Sequence, residues 1–191
     1  MRRDDDGAVS AAGGSPGLLP HLLQLDDSAD GARLEAVWWE EDAVGYVDQR
    51  LLPRELVRKR ATSVQDVVEA IATLAVRGAP TIGIVGAYGV ALARQLHADE
   101  AEFLAAAARI RAARPTAVNL AWAVDRVLAE PRGTELETAR AIHEEQRAVD
   151  EAIAGYGLAL MPDRGTVLTH CNTGPLATGG GGTALGVIIA A

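Results

Sequence analysis

The stretch TVLTHCNTGPLATGGGGTALGVIIAA, Thr166 to Ala191, decides the fold. Its first five residues, Thr166-Val167-Leu168-Thr169-His170, form a short β-branched run that predicts a buried strand. Cys171 to Gly182 predicts a glycine-rich loop, and the apolar segment Thr183 to Ala191 predicts a helix. Strand, glycine loop, helix is the opening of an α/β unit. The parallel sheet such a strand should join does not follow in these 191 residues, so the sequence reads as cut short within that unit.

Upstream, the pattern is mostly helical. Ser63 to Val76 carries Val64, Val67, Val68, Ile71, Leu74 and Ala75 at helical spacing. Ser63 is placed to cap it, Asp66 lies in its first turn, and Gly78 and Pro80 are read as its stop. Thr81 to His97 is the next helix. Gly83, Gly86 and Gly89 share one side of it, at up to ~1 kcal/mol each against alanine, which predicts close approach by a neighbouring helix or a ligand loop. Asp99–Ala113, Asn119–Glu130 and Thr134–Ala154 complete the helical region, with Thr134 and Glu137 as a capping box. Leu34–Trp39 and Ala43–Val47 predict two strands around Glu40-Glu41-Asp42. The organisation expected is a disordered tail over 1–33, a mostly helical domain with short antiparallel strands over 34–155, and the start of an α/β domain over 156–191.

Composition narrows the function classes. The net charge of −8 repels phosphate backbones and argues against nucleic-acid binding, though it leaves room for a small phosphorylated ligand held by local arginines. The single cysteine cannot form an internal disulfide. Asp4-Asp5-Asp6 follows the first basic residues where a signal peptide would place an apolar run. The apolar stretch Thr81–Leu96 is shorter than a membrane span. A cytoplasmic protein without membrane partners is expected.

Several residues are candidates for chemistry. Cys171 stands where a strand should end and a loop begin, the position at which open α/β sheets bind ligands. A cysteine there can act as nucleophile or proton carrier; the alternative is a small buried apolar residue. The loop Gly174–Gly182 can hold an anion on its amides or serve as a flexible turn, and it fits neither dinucleotide nor Walker spacing. Arg77, ahead of Gly78-Ala79-Pro80, has a planar fork suited to phosphate; the alternative is a solvated arginine at a helix C-terminus. Arg114 before Pro115 has the same two readings. His97 and His143 are expected on solvated helix faces, and His170 inside the strand. No set of His, Cys, Asp and Glu has metal-ligand spacing, and no cofactor is expected.

Together these segments resemble the methylthioribose-1-phosphate isomerase family. The matching blocks are Trp39 with Val47-Asp48-Gln49-Arg50 and Leu52-Pro53; RGAPTIGIVGAYGVALA, Arg77–Ala93; RPTAVNLAWAVDR, Arg114–Arg126; and LTHCNTGPLATGGGGTALGVI, Leu168–Ile188. That family is similar in fold to the regulatory subunits of the translation-initiation guanine-nucleotide exchange factor and to archaeal ribose-1,5-bisphosphate isomerases. The resemblance implies a small N-terminal domain followed by a Rossmann-like domain, a homodimer at full length, and conversion of 5-methylthioribose 1-phosphate to 5-methylthioribulose 1-phosphate without metal or nucleotide. It implies that Arg77, Gly78, Ala79 and Arg114 contact the sugar phosphate, that Cys171 is catalytic, and that an aspartate in a later half of the family acts as acid/base. The 191 residues are therefore expected to be inactive alone. The sequence departs from the family at Pro175, at Gly180-Gly181-Gly182 and at Ile189. Two other readings remain: a non-catalytic sugar-phosphate-binding subunit of the same superfamily, and an isomerase of ribose 1,5-bisphosphate.

Overall fold

The structure, a computed structural model, describes residues 34–191. The tail expected over 1–33 lies outside the described residues. Leu34–Ala191 falls within one compact unit.

Three short strands form an antiparallel sheet in the order β1 (Val37–Glu40), β2 (Ala43–Val47), β3 (Arg58–Ala61). Val37 faces Tyr46 and Glu40 faces Ala43, so the hairpin turns on Glu41-Asp42, with Glu41 at φ 47. Glu40, expected in the turn, belongs to the strand. β2 is buried along its whole length. The sequence reading missed β3, because Arg58-Lys59-Arg60-Ala61 shows no apolar alternation. It is an edge strand, where cations discourage further pairing. Lys59 pairs with Asp48 at 2.8 Å and Arg60 with Asp42 at 3.0 Å.

Among the described residues seven helices follow: α1 (Val64–Ala72), α2 (Ala79–Leu96), α3 (Glu100–Ala112), α4 (Val118–Ala129), α5 (Glu135–Leu158), α6 (Pro175–Thr178) and α7 (Ala184–Ala190). Ser63 and Asp66 cap α1 reciprocally, and Asp99 caps α3 through the Glu102 amide. The Thr134–Glu137 box does not form. Thr134 Oγ1 donates to the Pro131 carbonyl, and the Glu135 carboxylate accepts the Gly133 amide and Arg94 instead.

α2 is the central element, buried from Thr81 to Ala93. Its glycine side is crossed by helices and not by a ligand loop. A methyl at Gly83 would sit 3.0 Å from the Asn119 carbonyl, and one at Gly89 2.7 Å from Val67; at Gly86 it would meet Leu120. Glycine is therefore kept despite its helix cost, because helices α4 and α1 need the room.

Two boundaries differ from expectation in ways that bear on the site. α1 stops at Ala72, where Leu74 takes the left-handed conformation (φ 63) and the Val76 amide closes the turn onto the Ala70 carbonyl. Gly78 and Pro80 consequently do not end α1; they begin α2, with Gly78 as its N-cap. Proline suits that position because the first helical N–H groups lack carbonyl partners anyway. The strand expected at Thr166–His170 is absent. Those residues are irregular and exposed, Leu168 at 95%. Strand amides need a neighbour, and among the described residues no strand lies beside them. The helix expected after the glycine loop is present as α7, packed on α5 where Gly157 leaves room for Val187.

Candidate functional site

The site is built around the start of α2. Gly78 has φ 105, a conformation that L side chains rarely adopt. Its missing side chain also lets the Arg77-Gly78 backbone lie against α6, since a methyl there would collide with the Ala177 backbone. Thr81 Oγ1 donates to the Leu176 carbonyl at 3.1 Å across the same junction. The segment holding Arg77 and the loop following Cys171 are thereby packed together.

No side chain caps α2, so the first N–H groups of this 18-residue helix, at its positive dipole end, have no side-chain cap partner. Arg77 is exposed, and its guanidinium has no ion pair or hydrogen bond among the described residues. It stands at a helix N-terminus and not, as the alternative reading had it, at a C-terminus. Arg114 is half-buried and equally unpaired among the described residues. It precedes α4, whose N-cap Ala117 offers no side-chain cap either. The N-terminal turns of α2 and α4 meet where Gly83 approaches Asn119. Two unpaired arginines and two uncapped N-termini are a chemistry for anions.

Cys171 is exposed, with φ 69. Positive φ in a non-glycine residue is strain of about 1–3 kcal/mol, a feature concentrated at functional positions. The alternative of a buried apolar cysteine is therefore set aside. No hydrogen bond joins its thiol to Arg77 or Arg114 among the described residues. His170 is exposed as well, contrary to the interior position expected of it, because the strand that would bury it does not form.

α5 grips the glycine-rich loop from the other side, through residues the sequence reading set aside. His143, expected in solvent, is buried: its Nε2 lies 2.8 Å from the Gly179 carbonyl and its Nδ1 3.0 Å from the Tyr88 hydroxyl. The carbonyl can only accept, so Nε2 carries the proton and Nδ1 accepts from Tyr88. Burial pushes the His143 pKa down and raises that of Tyr88 to about 12. Two turns further on, Asp150 is fully buried; Oδ2 accepts the Gly182 amide at 3.0 Å and Oδ1 accepts Gln146 at 2.8 Å. The i, i+7 spacing of 143 and 150 on one helix face is the signal that could have found this pair. Pro175 and Gly179 fit as the first residue and left-handed cap of α6, so the departure at Pro175 is accommodated.

A pH test follows. The folded state holds His143 neutral, so on acidification the unfolded chain takes up the proton first, near its ordinary pKa of about 6.5. This contribution to stability is present at neutral pH and is lost as pH falls below that value. Urea midpoints between pH 7.5 and 5.5 are expected to fall more steeply for the wild type than for His143→Gln; parallel curves would contradict the assignment.

Beside the contact of His143 with Tyr88, a cleft of about 660 Å³ is lined by Trp38, Trp39, Tyr88, Arg140, His143 and Arg147 among others. Arg77, Arg114 and Cys171 lie outside it, and Arg147 there is paired with Glu35 at 2.8 Å. Among the described residues no group of His, Cys, Asp and Glu could hold a metal ion, and no helix is long and apolar enough to cross a membrane.

Fold and site together define a mixed α/β protein in which α2 and α4 approach each other at Gly83 and Asn119. The model of the Initiation factor 2 subunit family matches residues 75–191, and the chain belongs to that family. It is 50% identical over 153 residues to the methylthioribose-1-phosphate isomerase of Anaeromyxobacter sp. (strain Fw109-5), covering 78% of this chain and 45% of that protein. It is 46% identical over 174 residues to the enzyme of the same name from Picosynechococcus sp., covering 81% and 50%. Among solved structures it resembles 5-methylthioribose 1-phosphate isomerase from Pyrococcus horikoshii OT3 (TM-score 0.73, 33% identity, 81% of this chain and 48% of that one). It also resembles translation initiation factor eIF-2B, subunit delta, from A. fulgidus (TM-score 0.72, 36% identity, 82% and 50%). The chain spans about half the length of the relatives it matches.

Proposed function

We propose that this chain supplies the phosphate-binding portion of an isomerase that converts 5-methylthioribose 1-phosphate to 5-methylthioribulose 1-phosphate in methionine salvage. The observation that carries this reading is the junction of two segments: Arg77-Gly78-Ala79 at the uncapped start of α2, packed on the loop that follows Cys171. The names of the relatives supply the substrate.

The reaction moves one hydrogen and one proton. The bond from C1 to the ring oxygen breaks, and that oxygen takes a proton. Hydrogen passes from C2 to C1, and the C2 hydroxyl gives up its proton to leave the ketone. The phosphate stays on C1 throughout, so it is the natural handle. Arg77, Arg114 and the amides of Gly78 and Ala79 hold it. Cys171, in the loop that leads into α6, carries a proton in the step. A second acid/base group comes from outside these 191 residues. The rest of the reading is a Rossmann-like domain beginning near residue 156 and following the unit over 34–155, in which 166–170 becomes a strand once a neighbour is present, in a cytoplasmic homodimer.

The test is to incubate substrate carrying ¹³C at C1 with a protein of the relatives' length bearing this sequence. The anomeric resonance should be replaced by that of a phosphorylated methylene, while the 191-residue chain alone should bind without turnover. Binding without conversion by the longer protein would instead indicate a regulatory subunit, and conversion of ribose 1,5-bisphosphate in preference would change the substrate.

A further inference from the structure

We propose that Gln49 is a positioning residue whose carboxamide sets the spacing between the Arg77 segment and the loop that carries Cys171. The inference rests on reading those two segments as one sugar-phosphate site.

Gln49 follows β2 and is 2% exposed. Its backbone amide donates to the Ala75 carbonyl at 2.9 Å. Its side-chain Nε2 donates twice, to the Arg77 carbonyl and to the Leu176 carbonyl, each at 3.0 Å. One nitrogen thus joins the residue that presents the guanidinium to the first turn after the thiol loop. The orientation of the amide is fixed by chemistry, because turning it over would set Oε1 against two carbonyl oxygens.

The price of that orientation is visible. Oε1 is buried and has no hydrogen-bond partner among the described residues. An apolar side chain of the same shape would avoid an orphaned acceptor, so packing alone does not call for glutamine here. What an apolar residue cannot do is hold two carbonyls together. The neighbouring residue keeps the bridge from drifting. Asp48 is fully buried, its carboxylate gripped by Arg50 at 2.7 Å and Lys59 at 2.8 Å. The Arg50 hydrogen bonds hold its pKa well below the usual carboxylate range, so it stays ionised at neutral pH. An anion that touches both Arg77 and the Cys171 loop needs their separation fixed before it binds, and the bridge fixes it.

The test uses the full chain with Gln49→Met, which keeps length and removes both donors. Calorimetry measures the Kd for 5-methylthioribose 1-phosphate, amide exchange follows residues 172–179, and thermal unfolding monitors the fold. Gln49→Met is expected to unfold cooperatively within a few degrees of wild type, to exchange faster over 172–179, and to bind about tenfold or more weakly. A folded variant with wild-type affinity overturns the positioning role and leaves the site reading intact. A wild-type chain that does not bind the sugar phosphate overturns the site reading, and the positioning role falls with it. Should Gln49→Met fail to fold, Gln49→Asn takes its place, because it keeps the carboxamide but shortens its reach by a methylene, so that one nitrogen no longer spans the Arg77 and Leu176 carbonyls. Unchanged exchange and affinity in that variant overturn the role equally.

Discussion

Replacing Gly78 by alanine is expected to lower the stability of the chain by roughly 2–6 kcal/mol, combining backbone strain at positive φ with a steric collision. Both contributions are visible at one residue. The backbone sits at φ 105 and ψ 130, and the added methyl would run into the main chain of Ala177, which cannot rotate away as a side chain could. A loss of this size is a large fraction of the 5–15 kcal/mol typical of a domain. Urea denaturation would show it as a much lower midpoint at an unchanged slope. A midpoint within error of wild type would mean that the start of α2 does not lie against α6. Gly133, also at positive φ (95), has nothing near its missing side chain, so Gly133→Ala meets no steric collision and is the control.

The second large effect concerns chemistry and not stability. In a protein of the relatives' length, Cys171→Ser is expected to slow isomerisation by about 10²- to 10⁴-fold, the range for removing a positioned proton carrier. A hydroxyl keeps its proton at pH values where a thiol yields it. The thiol is exposed and makes no hydrogen bond among the described residues, so unfolding of the 191-residue chain should be unchanged by the same substitution. This separates a catalytic role from a structural one. Less than a tenfold loss of rate at unchanged affinity would remove Cys171 from the reaction.

Much of this architecture is legible in the residues, and the exceptions share a cause. Ser63, Asp66 and Asp99 announce their helices because capping is local. The apolar face of α1 shows at helical spacing for the same reason. Gly83, Gly86 and Gly89 promised close approach, and the structure supplies helices as the partners. What was not legible depends on distant partners. β3 is a run of cations whose strand character comes from β2 and from Asp48 and Asp42. Thr166–His170 has strand propensity but no strand beside it among the described residues. His143 and Asp150 look like polar helix residues until the glycine loop is laid over them. Gln49 meets Leu176 across 127 positions of sequence, a separation that no local pattern can report. Cys171, Arg77 and Arg114 are candidates from their places in the sequence, whereas Gly78 and Ala79 stand out as substrate contacts only through the resemblance; the structure adds why a glycine must follow Arg77.

In the proposed function, the Arg77 segment and the Cys171 loop hold one sugar phosphate between them. Cys171 is the sole cysteine of the sequence, so its alkylation by iodoacetamide can be followed without interference. Saturating 5-methylthioribose 1-phosphate should slow that alkylation in the wild-type chain, and Arg77→Ala should abolish the slowing at the same ligand concentration. An alkylation rate indifferent to the ligand, or a protection that survives Arg77→Ala undiminished, would contradict the account.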